Sequence, residues 1–142
     1  MSHDARQTRT GGCQCGAVRY RIDREPVRCY ACHCRECQKQ SASAFGISVI
    51  VPRSGFALTA GAPRRWSRPT DSGGTLDCWF CPTCGSRLWH ETEPNAETLS
   101  IKGGSLDEPV DFDQLYHIWT ARKLEGLQLP AGCKSHPGEP PD

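Results

Sequence analysis

Long apolar runs are missing from these 142 residues. Nothing approaches the ~20 consecutive apolar positions of a membrane helix, so no membrane span is expected. A charge excess is missing as well: lysine and arginine number 17 against 16 aspartates and glutamates, a formal +1. Neutralising phosphates needs a basic stripe, so neither nucleic acid nor an anionic membrane is an expected partner. The opening MSHDARQTRT lacks the apolar core of a secretory signal, which points to a cytoplasmic chain. Internal repeats and a domain linker are also absent. The length then suits one domain with one modest core.

Helical period is scarce, and alternation takes its place. Short alternating or β-branched runs cover 18–22, 27–32, 45–51, 56–59, 76–80, 87–90, 98–102 and 117–120, with Gly, Pro, Asp and Ser between them. This pattern predicts a mainly β domain of short antiparallel strands over 11–133. Only 35–41, RECQKQS, reads as a helical turn. The polar stretch 1–10 and the proline-rich 134–142 predict flexible ends. Trp66, Trp79, Trp89 and Trp119 are expected to fill the core.

What the chain has in abundance is cysteine, ten in all. In a reducing compartment that many thiols point to metal or thiol chemistry more than to a disulfide framework. Cys13 and Cys15 form a CxC, too close in sequence to bridge each other without strain. Cys81 and Cys84 form a CPxCG turn, in which backbone amides can aim at the sulfurs and the glycine can supply a positive φ. Each pair brings two sulfurs, while structural zinc wants four in a tetrahedron. Cys13, Cys15, Cys81 and Cys84 therefore predict one structural zinc clamping both ends of the domain.

Cys32, Cys34 and Cys37 form a CxCxxC and predict a second zinc, for two per chain. Three sulfurs leave one tetrahedral position for water or substrate, the mark of a catalytic site. Cys29, His33 or Cys78 could close it. Strand alternation over 27–32 puts Cys29 and Cys32 on opposite faces, which argues for the open form.

GGCQCGAVRY, ACHCRECQKQSASAFG, FCPTCGSRLWH, GGSLD and HIWT occur in an order that resembles the glutathione-dependent formaldehyde-activating enzyme family, from about Gly11 to Pro130. The resemblance implies a β-tent fold, a structural zinc at Cys13, Cys15, Cys81 and Cys84, and a second zinc at Cys32, Cys34 and Cys37 with a site for a small ligand. It implies formation of S-(hydroxymethyl)glutathione from glutathione and formaldehyde, a carbon–sulfur lyase reaction, or chemistry on a related thiol adduct. Ser41-Ala42-Ser43 departs from the family, which commonly has glycine between the serines. RKLEGLQLP also departs, replacing a segment that commonly carries Pro-Trp.

Three thiolates donate strongly to a divalent ion, so the second centre suits an incoming sulfur better than hydroxide generation. No acid or base stands out among His33, His90 and His117. Arg35 and Lys39 could hold substrate carboxylates, although a solvated helix face is the plainer reading. For Ser41 and Ser43 turn capping is plainer than substrate binding. Two other function classes stay open. A binding module for a thiol or a protein requires a closed second site, and a thiol carrier or redox sensor requires the Cys32 cluster to exchange metal for disulfide. Exposed strand edges are compatible with a homodimer.

Overall fold

The computed structural model describes residues 8–92 and 96–141. Two sheets build the domain. β1 (Arg9–Gly12), β2 (Arg19–Ile22) and β5 (Phe56–Ala60) make a small antiparallel sheet in the order β1-β2-β5. The larger sheet contains β3 (Arg28–Cys32), β4 (Gly46–Pro52), β6 (Arg64–Pro69), β7 (Thr75–Phe80), β8 (Arg87–Glu91), β9 (Thr98–Lys102) and β10 (Tyr116–Ile118). Its strands run in the order β10-β3-β4-β9-β8-β7-β6. One short helix, α1 (Arg35–Ser41), follows β3. No helix among the described residues is long and apolar enough to cross a membrane.

Register explains why the large sheet has one apolar and one polar face. Cys29, Val49, Ile101, Trp89 and Trp79 stand opposite one another in turn across β3, β4, β9, β8 and β7. All five belong to the core or pack against it, together with Tyr20 and Ile22 of the small sheet. Each fully buried aliphatic side chain contributes roughly 1.5–3 kcal/mol. Because side chains alternate, the residues between them face the other way. That second face carries Ser48 opposite Lys102, and the row Ser100, His90, Cys78, Trp66. Cys32 shares it, two positions from Tyr30, the partner of Ser48.

The mainly β expectation holds, and several details differ. β10 pairs parallel with β3 rather than antiparallel. It stops at Ile118 because Trp119 turns to φ +58 and a 3-10 turn follows. β1 and β6 are strands that alternation does not reveal. β1 reads RTGG, and a Cβ at Gly11 would run into the Tyr20 hydroxyl and the Ser105 carbonyl. β6 is the polar edge strand RRWSRP, whose arginines and proline discourage further pairing. Of the tryptophans, Trp79 and Trp89 stack in the interior at 5.7 Å between ring centroids. Trp66 instead stands 53% exposed, with Arg87 over its ring.

The segment from 134, for which composition suggests a flexible tail, lies along β10. His117 N–H donates to the Lys134 carbonyl and His136 N–H returns a bond to the His117 carbonyl, both at 2.9 Å. The Trp119 indole adds a bond to Glu139 at 2.8 Å. At the other end, Arg9 and Thr10 pair in β1, while 1–7 lie outside the described residues.

Candidate metal centres and the cavity beside them

Cys13, Cys15, Cys81 and Cys84 converge, with all four sulfurs within 4.8 Å of one another. Two similar turns achieve this. After β1, Gly16 N–H donates to the Cys13 carbonyl, and Gly16 adopts φ +85. After β7, Gly85 N–H donates to the Cys81 carbonyl, and Gly85 adopts φ +84. Backbone N–H groups aim at the sulfurs: Val18 at Cys13 Sγ, 3.2 Å, and Thr83 at Cys81 Sγ, 3.4 Å. A hydroxyl hydrogen bond from Ser86, with its N–H, holds the Cys84 thiol down at about 5. The two turns also touch, because Gln14 N–H donates to Ser86 Oγ at 3.0 Å.

The spacing fits zinc. Four sulfurs at ~2.3 Å around a tetrahedral ion must lie about 3.8 Å apart. Cys13 and Cys15 sulfurs are 3.6 Å apart, and those of Cys15 and Cys81 are 3.8 Å apart. All ten cysteines are free thiols.

Cys32, Cys34 and Cys37 form a second group with their sulfurs within 4.8 Å. Cys32 ends β3, Cys34 is the N-cap of α1, and Cys37 lies in its first turn. Cys34 Sγ accepts the Cys37 N–H at 3.3 Å, so the cap itself fixes one sulfur against another. Gln38 anchors the helix by donating to the carbonyls of His33, 2.8 Å, and Arg122, 3.0 Å. Hydrogen bonds from the thiols of Cys32 and Cys37 push Cys34 down to about 2, while its thiolate pushes Cys32 up.

No fourth histidine, cysteine or carboxylate joins this group among the described residues. Cys29 lies on the opposite sheet face against the core, as alternation predicts. His33 is fully buried and turned to His117, Nε2 to Nδ1 at 2.9 Å. Cys78 lies two strands beyond β9, across a cavity of about 250 Å³ that Cys37 also lines.

That cavity contains what the motifs did not reveal. Lys102, only 8% exposed, donates from Nζ to His90 Nδ1 at 2.7 Å. Burial, then the cations Lys102, Arg87 and Arg68, push His90 down to about 3, so its imidazole is neutral and Nε2 carries its proton. Burial likewise lowers Lys102 to about 8. The sequence signal for Lys102 is a polar residue at period two in TLSIK, where Leu99 and Ile101 mark the core face. Lys102, Arg87 and Gln40 also line a second, larger groove of about 1020 Å³, which runs to Cys13 and Ser86.

The other polar candidates resolve plainly. Ser41 and Ser43 bond the Cys37 and Phe45 carbonyls, at 2.8 and 3.2 Å, which closes the helix as capping predicts. Arg35 bonds Gln38, whereas Lys39 lines the cavity. His33 and His90 are held neutral by burial, and His117 is lowered the same way.

A family model described as "glutathione-dependent formaldehyde-activating enzyme" matches residues 8–122. Two curated fungal relatives bear names drawn from that family. One, from Sordaria macrospora, is 28% identical over 78 residues, or 55% of this chain and 32% of its own. The other, from Penicillium rubens, is 30% identical over 83 residues, 57% of this chain and 42% of its own. The chain thus spans less than half the length of either. A crystal structure of a Rhodobacter sphaeroides protein superposes with a TM-score of 0.54 at 21% identity, covering 89% of this chain and 98% of that one. At that identity the likeness concerns the fold alone.

Proposed function

Because the chain belongs to the glutathione-dependent formaldehyde-activating enzyme family, we propose that it is a zinc-dependent carbon–sulfur lyase acting on the adduct of glutathione, or a similar thiol, with formaldehyde or another small aldehyde. The observation that carries this reading is the three-sulfur group with no fourth ligand among the described residues, whose Cys37 lines a cavity shared with Lys39, Arg68, Arg87, Lys102 and Glu36. Cys13, Cys15, Cys81 and Cys84 hold a structural zinc, and Cys32, Cys34 and Cys37 hold the reactive one. Zinc bound by three thiolates supplies a mild Lewis acid with room for one more sulfur donor.

The chain's own residues do the rest. Three thiolates on a divalent ion leave one net negative charge, and Lys102 in the same cavity offsets it. Gln38 and the Cys34 cap fix the cluster in place, so it pays little reorganisation on binding. The groove from Lys102 to Ser86 offers the Gln40 side chain and the uncovered backbone of Gly104 to a peptide-like thiol. A thiol bound there meets a small carbonyl compound beside Cys37, out of bulk water.

The test is exchange spectroscopy by NMR on zinc-loaded protein mixed with glutathione and formaldehyde. Exchange between free and adduct carbon should exceed the spontaneous rate in proportion to enzyme. X-ray absorption at the zinc edge should gain sulfur ligation when glutathione is added. Exchange at the spontaneous rate would remove the lyase reading.

A further inference from the structure

We propose that Lys102 is a catalytic residue: anchored by His90, its ammonium binds the oxygen of the small carbonyl compound and gives it a proton as the carbon–sulfur bond forms. The inference rests on the lyase reading above and adds the proton donor that reading lacks.

The argument starts from an imbalance. Lys102 is 8% exposed, and among the described residues its one hydrogen bond is to the neutral His90 imidazole. An ammonium has three N–H donors, so two have no acceptor among the described residues. Among the described residues no carboxylate lies in ion-pair range of it, and Glu36, which lines the same cavity, stands 4.0 Å from Arg68. Burying a charge so poorly matched costs several kcal/mol unless something else in the site answers it. The unused donors share the 250 Å³ cavity with Cys37. The cavity is large enough for a small carbonyl compound; Lys39 also lines it, and the basic nitrogen of His90, Nδ1, is occupied.

His90 sets the geometry. Its register partner Ser100 lies two positions before Lys102 on β9, so lysine and imidazole share one face of adjacent strands. The bond to Nδ1 then holds the flexible lysine stem in one place. His90 is a positioning residue here, and its suppressed basicity keeps it from competing for the proton.

The step balances. Thiolate sulfur attacks the carbonyl carbon, a C–S bond forms, and the C=O π pair moves to oxygen. That oxygen takes a proton from the Lys102 ammonium and remains on the carbon as the hydroxyl of the adduct. The neutral amine recovers a proton from the next thiol that binds. Cleavage runs the same steps backwards, with the amine removing the hydroxyl proton.

The experiment uses the zinc-loaded full chain and three variants, Lys102→Met, Lys102→Arg and Lys102→Ala. Zinc content and glutathione affinity are measured in all three, so that each exchange rate is read at full zinc occupancy and saturating glutathione. The exchange rate at saturating glutathione should fall about 100-fold in Lys102→Met, the usual worth of a placed acid. Lys102→Arg should stay equally slow, since guanidinium keeps the charge and gives up no proton. Added methylamine should restore Lys102→Ala at least tenfold. A Lys102→Met rate within threefold of wild type, with folding confirmed by circular dichroism, overturns the proposal and leaves the lyase reading standing. A wild-type protein that does not accelerate exchange at all overturns that reading and this one together.

Discussion

Ala42 shows how one residue can run against its neighbours. It caps α1 in the left-handed region at φ +54, with its N–H on the Gln38 and Lys39 carbonyls. A non-glycine residue there carries strain of about 1–2 kcal/mol, partly offset by its smaller unfolded-state entropy. This is the position where the family commonly has glycine. Ala42→Gly should therefore stabilise the chain by about 0.5–1 kcal/mol, read as a higher urea midpoint at unchanged slope. The buried histidine pair gives a second residue-scale expectation. His33 is held down to about 4 by burial, then His117, from an ordinary 6.5, and His117 is lowered by burial too. Below 6.5 the unfolded chain takes up protons that the folded pair refuses. Stability is then fully present above pH 6.5 and drains away as pH falls toward 4. A His33→Gln/His117→Gln double variant should show a shallower loss across that window. The cysteines titrate in both proteins, so the difference between their urea midpoints isolates the imidazoles. Equal slopes would place the acid sensitivity elsewhere.

At the scale of elements, β10 carries more than its three residues suggest. Without neighbours it would be an exposed edge beside β3, yet the strap from 134 covers it with backbone bonds at Lys134, His136 and Gly138. Pro137, Pro140 and Pro141 in or beyond the strap lack N–H donors and offer no template for another strand. Deleting 134–142 should cost about 2–4 kcal/mol, from several backbone bonds each worth roughly 0.5–1.5. It should also bring concentration-dependent association, visible by light scattering. An unchanged midpoint and a clean monomer would show the strap to be ornamental. The strap was illegible because composition reports only average solvation; parallel pairing with β10 has no local sequence mark. β6 was hidden for a related reason, having no buried face to impose alternation. Where one face meets the core, as in β4 and β9, period two located the strands closely. The same period placed Cys29 away from the second sulfur group. Each short cysteine cluster was legible from spacing because short turns bring close neighbours together, and joining Cys13 and Cys15 to Cys81 and Cys84 rested on the four sulfurs that structural zinc wants. Lys102 and His90 were not, since only lateral register across β8 and β9 joins them.

For the whole molecule, the two sulfur groups have different mechanical roles, and removing metal should separate them. Cys13 and Cys15 follow a strand of the small sheet and Cys81 and Cys84 a strand of the large one, so an ion shared by the four would tie two sheets across 66 residues of chain. Such closure removes unfolded-state entropy that grows with loop length, in addition to the metal–sulfur bonds. Cys32, Cys34 and Cys37 close only a local turn already held by Gln38 and the Cys34 cap. A graded chelator titration should therefore take zinc from two per chain to one with little change in near-ultraviolet circular dichroism. The second should leave only with cooperative unfolding. Paired variants sharpen the expectation: Cys37→Ser should bind one zinc and melt near wild type, while Cys84→Ser should lose much of its thermal stability. Glutathione binding should vanish in Cys37→Ser, whose fold survives to show it. If both zincs left together with the fold intact, the four-sulfur group would not be the clamp. The entropy of joining the sheets would then have to be met by the core alone, through Tyr20, Ile22 and Trp89.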